Sequence, residues 1–163
     1  MNTRRLVLAL ASLVAVSLLA FVPAATASPG YSFNLFVPNT AENPTTGDVI
    51  RVTGAGVFDP VAGTVSGKGS FTHRDSTGRL VARGVWVATG FTAFESFGGP
   101  SNGQQGGVLT ITATLFATNG TVVPDVTIEI TCLVNTPGGF EEGTTVGDFS
   151  MKTGGFTLFH LSA

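Results

Sequence analysis

Two residues of this chain combine a proton-transferring side chain with an apolar setting: His73 and Glu95. His73 shares strand parity with Val65 and Phe71, so pleating turns it toward the apolar side near a strand end. An imidazole in that position can accept or donate a proton near neutral pH. The competing reading is a hydrogen-bonded edge residue. Glu95 lies between Phe94 and Phe97, on the parity of Val85, Val87 and Phe91. A carboxyl facing an apolar interior is hard to ionise and suits general-acid work. If Gly90 shifts the register, Glu95 faces water instead. Four aromatic residues, Phe71, Trp86, Phe91 and Phe94, are candidates to line an apolar pocket if the interior is roomy, or to fill it if it is tight.

The remaining reactive side chains point to no recognised chemistry. Cys132 is the only cysteine and has interior parity beside Ile130 and Val134, the setting of a small hydrophobe. A zinc site needs three or four converging ligands, and two distant histidines, His73 and His160, with scattered carboxylates do not supply them. No metal or cofactor is expected. Glu141-Glu142 reads as a solvated loop pair. The chain has no H-E-x-x-H, C-x-x-C, G-x-S-x-G, Walker loop or dinucleotide fingerprint, and no basic stripe that would follow a phosphate backbone.

The elements that hold these residues read as strands. Leu109, Ile111, Ala113 and Leu115 alternate with Thr110, Thr112 and Thr114, the period-two pattern of a sheet with one greasy face. Asn119-Gly120 then signals a two-residue type I′ hairpin. The return segment puts Val126, Ile128, Ile130, Cys132 and Val134 on one side. Further strands are predicted over 31–37, 48–58, 62–74, 79–97, 144–149 and 155–162. Gly54, Gly56, Gly67 and Gly69 recur at interior positions, where strongly curved sheets bend. Segments 98–107 and 135–143 read as loops. About eight strands joined by short turns predict one all-β domain over 28–163, an antiparallel up-and-down barrel, with a two-sheet sandwich as the alternative.

The first 27 residues have the order of a secretory signal: Arg4 and Arg5, an apolar run from Leu6 to Val22, Pro23, then Ala25-Thr26-Ala27. Cleavage after Ala27 is expected, giving a secreted product with no membrane span. The arginine pair also fits a twin-arginine signal. Cleavage removes both arginines and no acid, taking the net charge from −2 to −4 and leaving 136 residues. That length buries enough surface to fold without disulfides. An exported chain with no internal disulfide suggests a bacterial source.

From Gly67 to Thr89 the chain combines Gly67-x-Gly69-x-Phe71-x-His73, a turn through Asp75 and Gly78, and Gly84-x-Trp86-x-Ala88-Thr89. This stretch resembles small exported bacterial all-β proteins of unassigned activity. A looser architectural likeness is to lipocalin- and dirigent-type barrels. The resemblance implies export and an all-β fold but no reaction. Three functions stay open: binding of a small apolar molecule in the interior, an extracellular or cell-envelope interaction protein without a pocket, and a dirigent- or cyclase-like enzyme using His73 or Glu95.

Overall fold

A computed structural model describes residues 30–162, so the expected leader and its cleavage point lie outside the described residues. Eight strands follow one another: β1 (Tyr31–Glu42), β2 (Val49–Asp59), β3 (Thr64–Arg74), β4 (Leu80–Gly98), β5 (Gln104–Ala117), β6 (Val122–Cys132), β7 (Gly143–Val146) and β8 (Met151–Leu161). All pair antiparallel within one sheet, not two. Among the described residues no helix is long and apolar enough to cross a membrane.

The strand order is β4-β3-β2-β1-β8-β5-β6-β7, and β4 also pairs with β5, so the sheet curls into a ring. The topology departs from the simple up-and-down order in one respect: β8 returns to lie between β1 and β5. It meets β5 only at Gln104↔His160 and Gln105↔Phe159. Beyond that point the same edge of β5 pairs with β6, from Gly107↔Cys132 onward. The sheet therefore forks, and β6 with β7 diverges from β8. Polar side chains knit the fork. Asn39, fully buried, donates through Nδ2 to the Val37 carbonyl at 2.9 Å and accepts from Thr144 Oγ1 at 3.2 Å. Lys152 Nζ reaches Glu129 Oε1 at 3.0 Å and Thr131 Oγ1 at 2.6 Å. Partnered in this way, these groups avoid the penalty of buried polar atoms left without hydrogen bonds.

The ring is filled, not hollow, over most of its length. Trp86 and Phe33 stack with centroids 6.4 Å apart, and Phe58 packs against Tyr31, Phe91, Phe94 and Phe159 toward the end where β1 begins. Each large apolar side chain removed from water contributes about 1.5–3 kcal/mol. The alternation expected in the β5–β6 hairpin is present: Leu109, Ile111, Ala113, Leu115, Ile128, Ile130 and Cys132 are all buried. Its turn differs from the predicted one. Asn119 does not take positive φ; Gly120 does, at 89°. Gly120 N–H bonds to the Ala117 carbonyl at 3.0 Å, and Ala117 N–H to the Thr121 carbonyl at 2.8 Å. This is the three-residue hairpin in which a type I turn ends in a left-handed glycine.

The β3–β4 turn is organised by one carboxylate. Asp75 accepts from the Thr77 hydroxyl at 2.6 Å and amide at 3.0 Å, and from the Arg79 amide and Nε at 3.0 and 2.9 Å. These partners, the Thr77 hydroxyl first, lower its pKa from 3.8 to about 2. A depressed folded-state value means that the ionised carboxylate favours the folded state above the ordinary value, and that this contribution fades as pH falls through the folded one. Asp75→Asn is therefore expected to lower Tm near pH 5 and to leave it close to the parent's near pH 2. Thermal melts at the two pH values check this; an equal gap at both would count against it.

Candidate functional site

The strand ends opposite the aromatic cluster surround a cleft of about 680 Å³. It lies where β6 and the β7–β8 turn splay away from the ends of β2, β3, β4 and β5. Its buried wall is apolar, with Ile50, Phe71, Leu115 and Val146. Polar groups gather toward solvent: Asp48, His73, Asp125, Asp148, Asn43 and Asn119. A smaller depression of about 270 Å³ lies beside Tyr31 and Val65 at the other end.

Local structure holds each group in place. Asp48 closes the β1–β2 turn, where Asn43 Oδ1 accepts from the Thr45 and Thr46 amides and Thr46 Oγ1 accepts from the Asp48 amide at 3.2 Å. Asn and Thr favour such turns because their side chains capture nearby amides. His73 sits one residue before the end of β3, opposite Ile50 and Ala82. Its Nε2 lies 2.9 Å from Asp48 Oδ2, with both side chains about a quarter exposed. Phe149 meets the imidazole edge-on at 5.1 Å. The β7–β8 turn presents Phe149 and Asp148, and is tied to β6 by the Gly147 N–H donating to the Thr127 carbonyl at 2.8 Å.

Asp125 arrives through an irregularity. The β5–β6 register jumps between Ala113↔Val126 and Leu115↔Val123, so that Pro124 and Asp125 together stand opposite the single residue Thr114, one residue more than regular pairing allows. Asp125 adopts φ of 55°, a left-handed conformation that Asp tolerates better than most residues. Bulges of this kind re-aim side chains.

The sequence-derived candidates separate clearly. His73 faces the cleft, as its parity required, and Phe71 lines it beneath. Glu95 does not face the interior: it is exposed, because Val85 and Val87, whose parity it shares, themselves face outward, and the two one-residue slips of the β4–β5 register before it, between Ala88 and Gly90 and between Phe91 and Ala93, cancel. Trp86, Phe91 and Phe94 do not line the cleft. Trp86, 1% exposed, is wedged at mid-strand with Nε1 donating to the Thr53 carbonyl at 2.9 Å, and Phe91 and Phe94 belong to the aromatic cluster at the opposite end. The residues that sequence reasoning missed are Asp48, Asp125, Asp148 and Phe149. Only the Asn/Thr/Asp-rich run before β2 and the Pro-Asp step at the start of β6 marked them. No group of three or more His, Cys, Asp or Glu among the described residues is placed to hold a metal ion.

Fold and site together define an all-β protein with one forked, ring-like sheet and an acid-rimmed apolar cleft at one end. Compared with protein-family models, with curated proteins and with solved structures, the chain matches none.

Proposed function

We propose that this is an exported, small antiparallel β-barrel that binds a small apolar molecule, and that the binding site is the end cleft and not the packed centre. One observation carries this reading: about 680 Å³ of space bounded by Ile50, Phe71, Leu115 and Val146, with polar groups confined to the mouth. Small-molecule sites have this size and this division of labour, apolar walls giving affinity and a few polar atoms giving orientation. Export follows from the order of charged, apolar and small residues over 1–27, and the Gly67–Thr89 stretch suits a bacterial secreted protein.

The neutral fluorescent probe N-phenyl-1-naphthylamine tests the site. The parent protein is expected to bind it at one equivalent with enhanced emission. Val123 lines the cleft and is about half exposed, so Val123→Trp can fill the space without disturbing the core. It is expected to weaken the probe at least about tenfold, a loss of ~1.4 kcal/mol. Absence of saturable binding, or binding indifferent to Val123→Trp, would remove the reading.

A second reading, a proton-transferring enzyme of the cyclase kind, is favoured by the 2.9 Å contact of His73 Nε2 with Asp48 Oδ2. A carboxylate that orients an imidazole leaves the other ring nitrogen free to act on a substrate. Glu95, exposed on the outer side of β4, takes no part in it.

A further inference from the structure

We infer that the molecule bound in the cleft carries a cationic end: an alkyl- or aryl-ammonium group on an apolar body. The inference rests on the cleft being the binding site, as proposed above. Three carboxylates line it, from Asp48, Asp125 and Asp148, and no lysine or arginine does. The absence is selective, since Arg51, Lys68, Arg74, Arg79, Arg83 and Lys152 are all found on the described strands and turns. Asp48 has a partner in His73. Asp125 and Asp148 enter no ion pair and no side-chain hydrogen bond among the described residues.

Occupancy of the apolar wall sets the constraint. A ligand seated on Ile50, Phe71 and Leu115 displaces water from the mouth, and a carboxylate that loses water without gaining a partner is penalised. A neutral apolar ligand leaves that penalty unanswered. An anionic one adds repulsion from three like charges. An ammonium group answers it with three donors and an opposite charge, and Phe149 and Phe71 line the same cleft, where aromatic rings attract a cation that reaches their faces. Charge complementarity of this kind selects among ligands that the apolar wall alone would treat alike.

The test is calorimetric titration of the whole secreted chain with three probes of equal length: octylammonium, 1-octanol and octanoate. At low salt octylammonium is expected to bind about tenfold or more tightly than octanol, with octanoate weakest, and the gap is expected to shrink as salt screens the rim. The double variant Asp125→Asn, Asp148→Asn is expected to bring octylammonium to within about threefold of octanol while octanol binding is retained. Asparagine tolerates the left-handed conformation at position 125, so the variant keeps the bulge. Equal binding of alcohol and ammonium, stronger binding of octanoate, or an ammonium preference that survives the double variant would overturn the inference alone. Failure of all three probes to bind would instead overturn the cleft as the site.

Discussion

Replacing Gly69 by alanine is expected to lower stability by about 3 kcal/mol, a fall in Tm of about 10 °C for a domain of this size. Gly69 lies on β3 opposite Gly54 of β2 and Trp86 of β4. A methyl group there would collide with the Thr53 carbonyl oxygen and sit 2.5 Å from the indole nitrogen. Those two atoms are the partners of the buried Trp86–Thr53 hydrogen bond, 2.9 Å long. Backbone on one side and a fully enclosed indole on the other leave nothing that can yield cheaply. Either the ring shifts into Phe33 or the strands part, and in both cases the indole N–H loses its acceptor. The control is Gly154→Ala on β8, where a methyl would meet nothing within 4 Å and φ is not left-handed; a change within about 0.5 kcal/mol is expected. Thermal melts compare the two, with the Trp86 emission maximum moving to the red only in Gly69→Ala. Equal tolerance at both positions would refute the assignment of Gly69 as part of a slot for Trp86.

That role for glycine shows where reading the sequence succeeds and where it stops. Alternation placed Leu109, Ile111, Ala113 and Leu115 inward because a pleated strand leaves side chains only two directions, and a continuous run of four fixes the phase. The same rule turned His73 inward. Gly54, Gly56, Gly67 and Gly69 were legible as interior glycines, but as places where strands bend. Their spatial partners, Trp86 for one pair and Phe33 for the other, belong to different strands, and no local pattern reveals which ring a glycine makes room for. Glu95 was misplaced for a related reason. It shares odd numbering with Val85, Val87 and Phe91, but only Phe91, lying between two one-residue slips, turns inward; Val85 and Val87 before the slips and Glu95 after both face out.

The cleft was less legible than the fold. His73 could be picked out, yet its partner Asp48 lies 25 residues earlier, on a turn that reads as an ordinary polar connection. Asp125 and Phe149 reach the mouth only because the sheet forks. That fork arises from β8 inserting between β1 and β5, a non-local pairing that hydrophobic period cannot encode. The aromatic residues Trp86, Phe91 and Phe94 satisfied the rule for lining a pocket, but inward parity does not distinguish a wall from a filled centre. Volume decides that, and the cleft of about 680 Å³ lies at the end where β6 and β7 diverge, away from these three rings.

Glu142 supplies the second large effect. Glu141-Glu142 reads as a solvated pair, yet Glu142 fastens the long β6–β7 connection to β8. Its Oε2 accepts from the Leu133 amide at 2.8 Å, and its Oε1 accepts from the Thr157 amide at 2.7 Å and lies 2.6 Å from the Thr157 hydroxyl. Thr157 is fully buried. Glu142→Ala removes every one of these acceptors. The Thr157 hydroxyl can turn to the Thr131 carbonyl, 2.5 Å away, but its amide is left without a partner, and an unsatisfied buried donor costs about 1–3 kcal/mol. With the Leu133 anchor gone as well, the total is expected near 3 kcal/mol, with rapid amide exchange at both residues and new protease cleavage within 134–141. Glu142→Gln divides the effect. Its one carbonyl oxygen can serve Thr157 while its NH2 faces the Leu133 amide, donor against donor. Protection at Thr157 is then expected to persist while protection at Leu133 is lost. If instead Glu142→Ala melts within about 1 °C of the parent, a shift well under 0.5 kcal/mol, and both amides stay protected, the connection is held by packing and not by this carboxylate. The fork would then not depend on Glu142 to keep β7 beside β8.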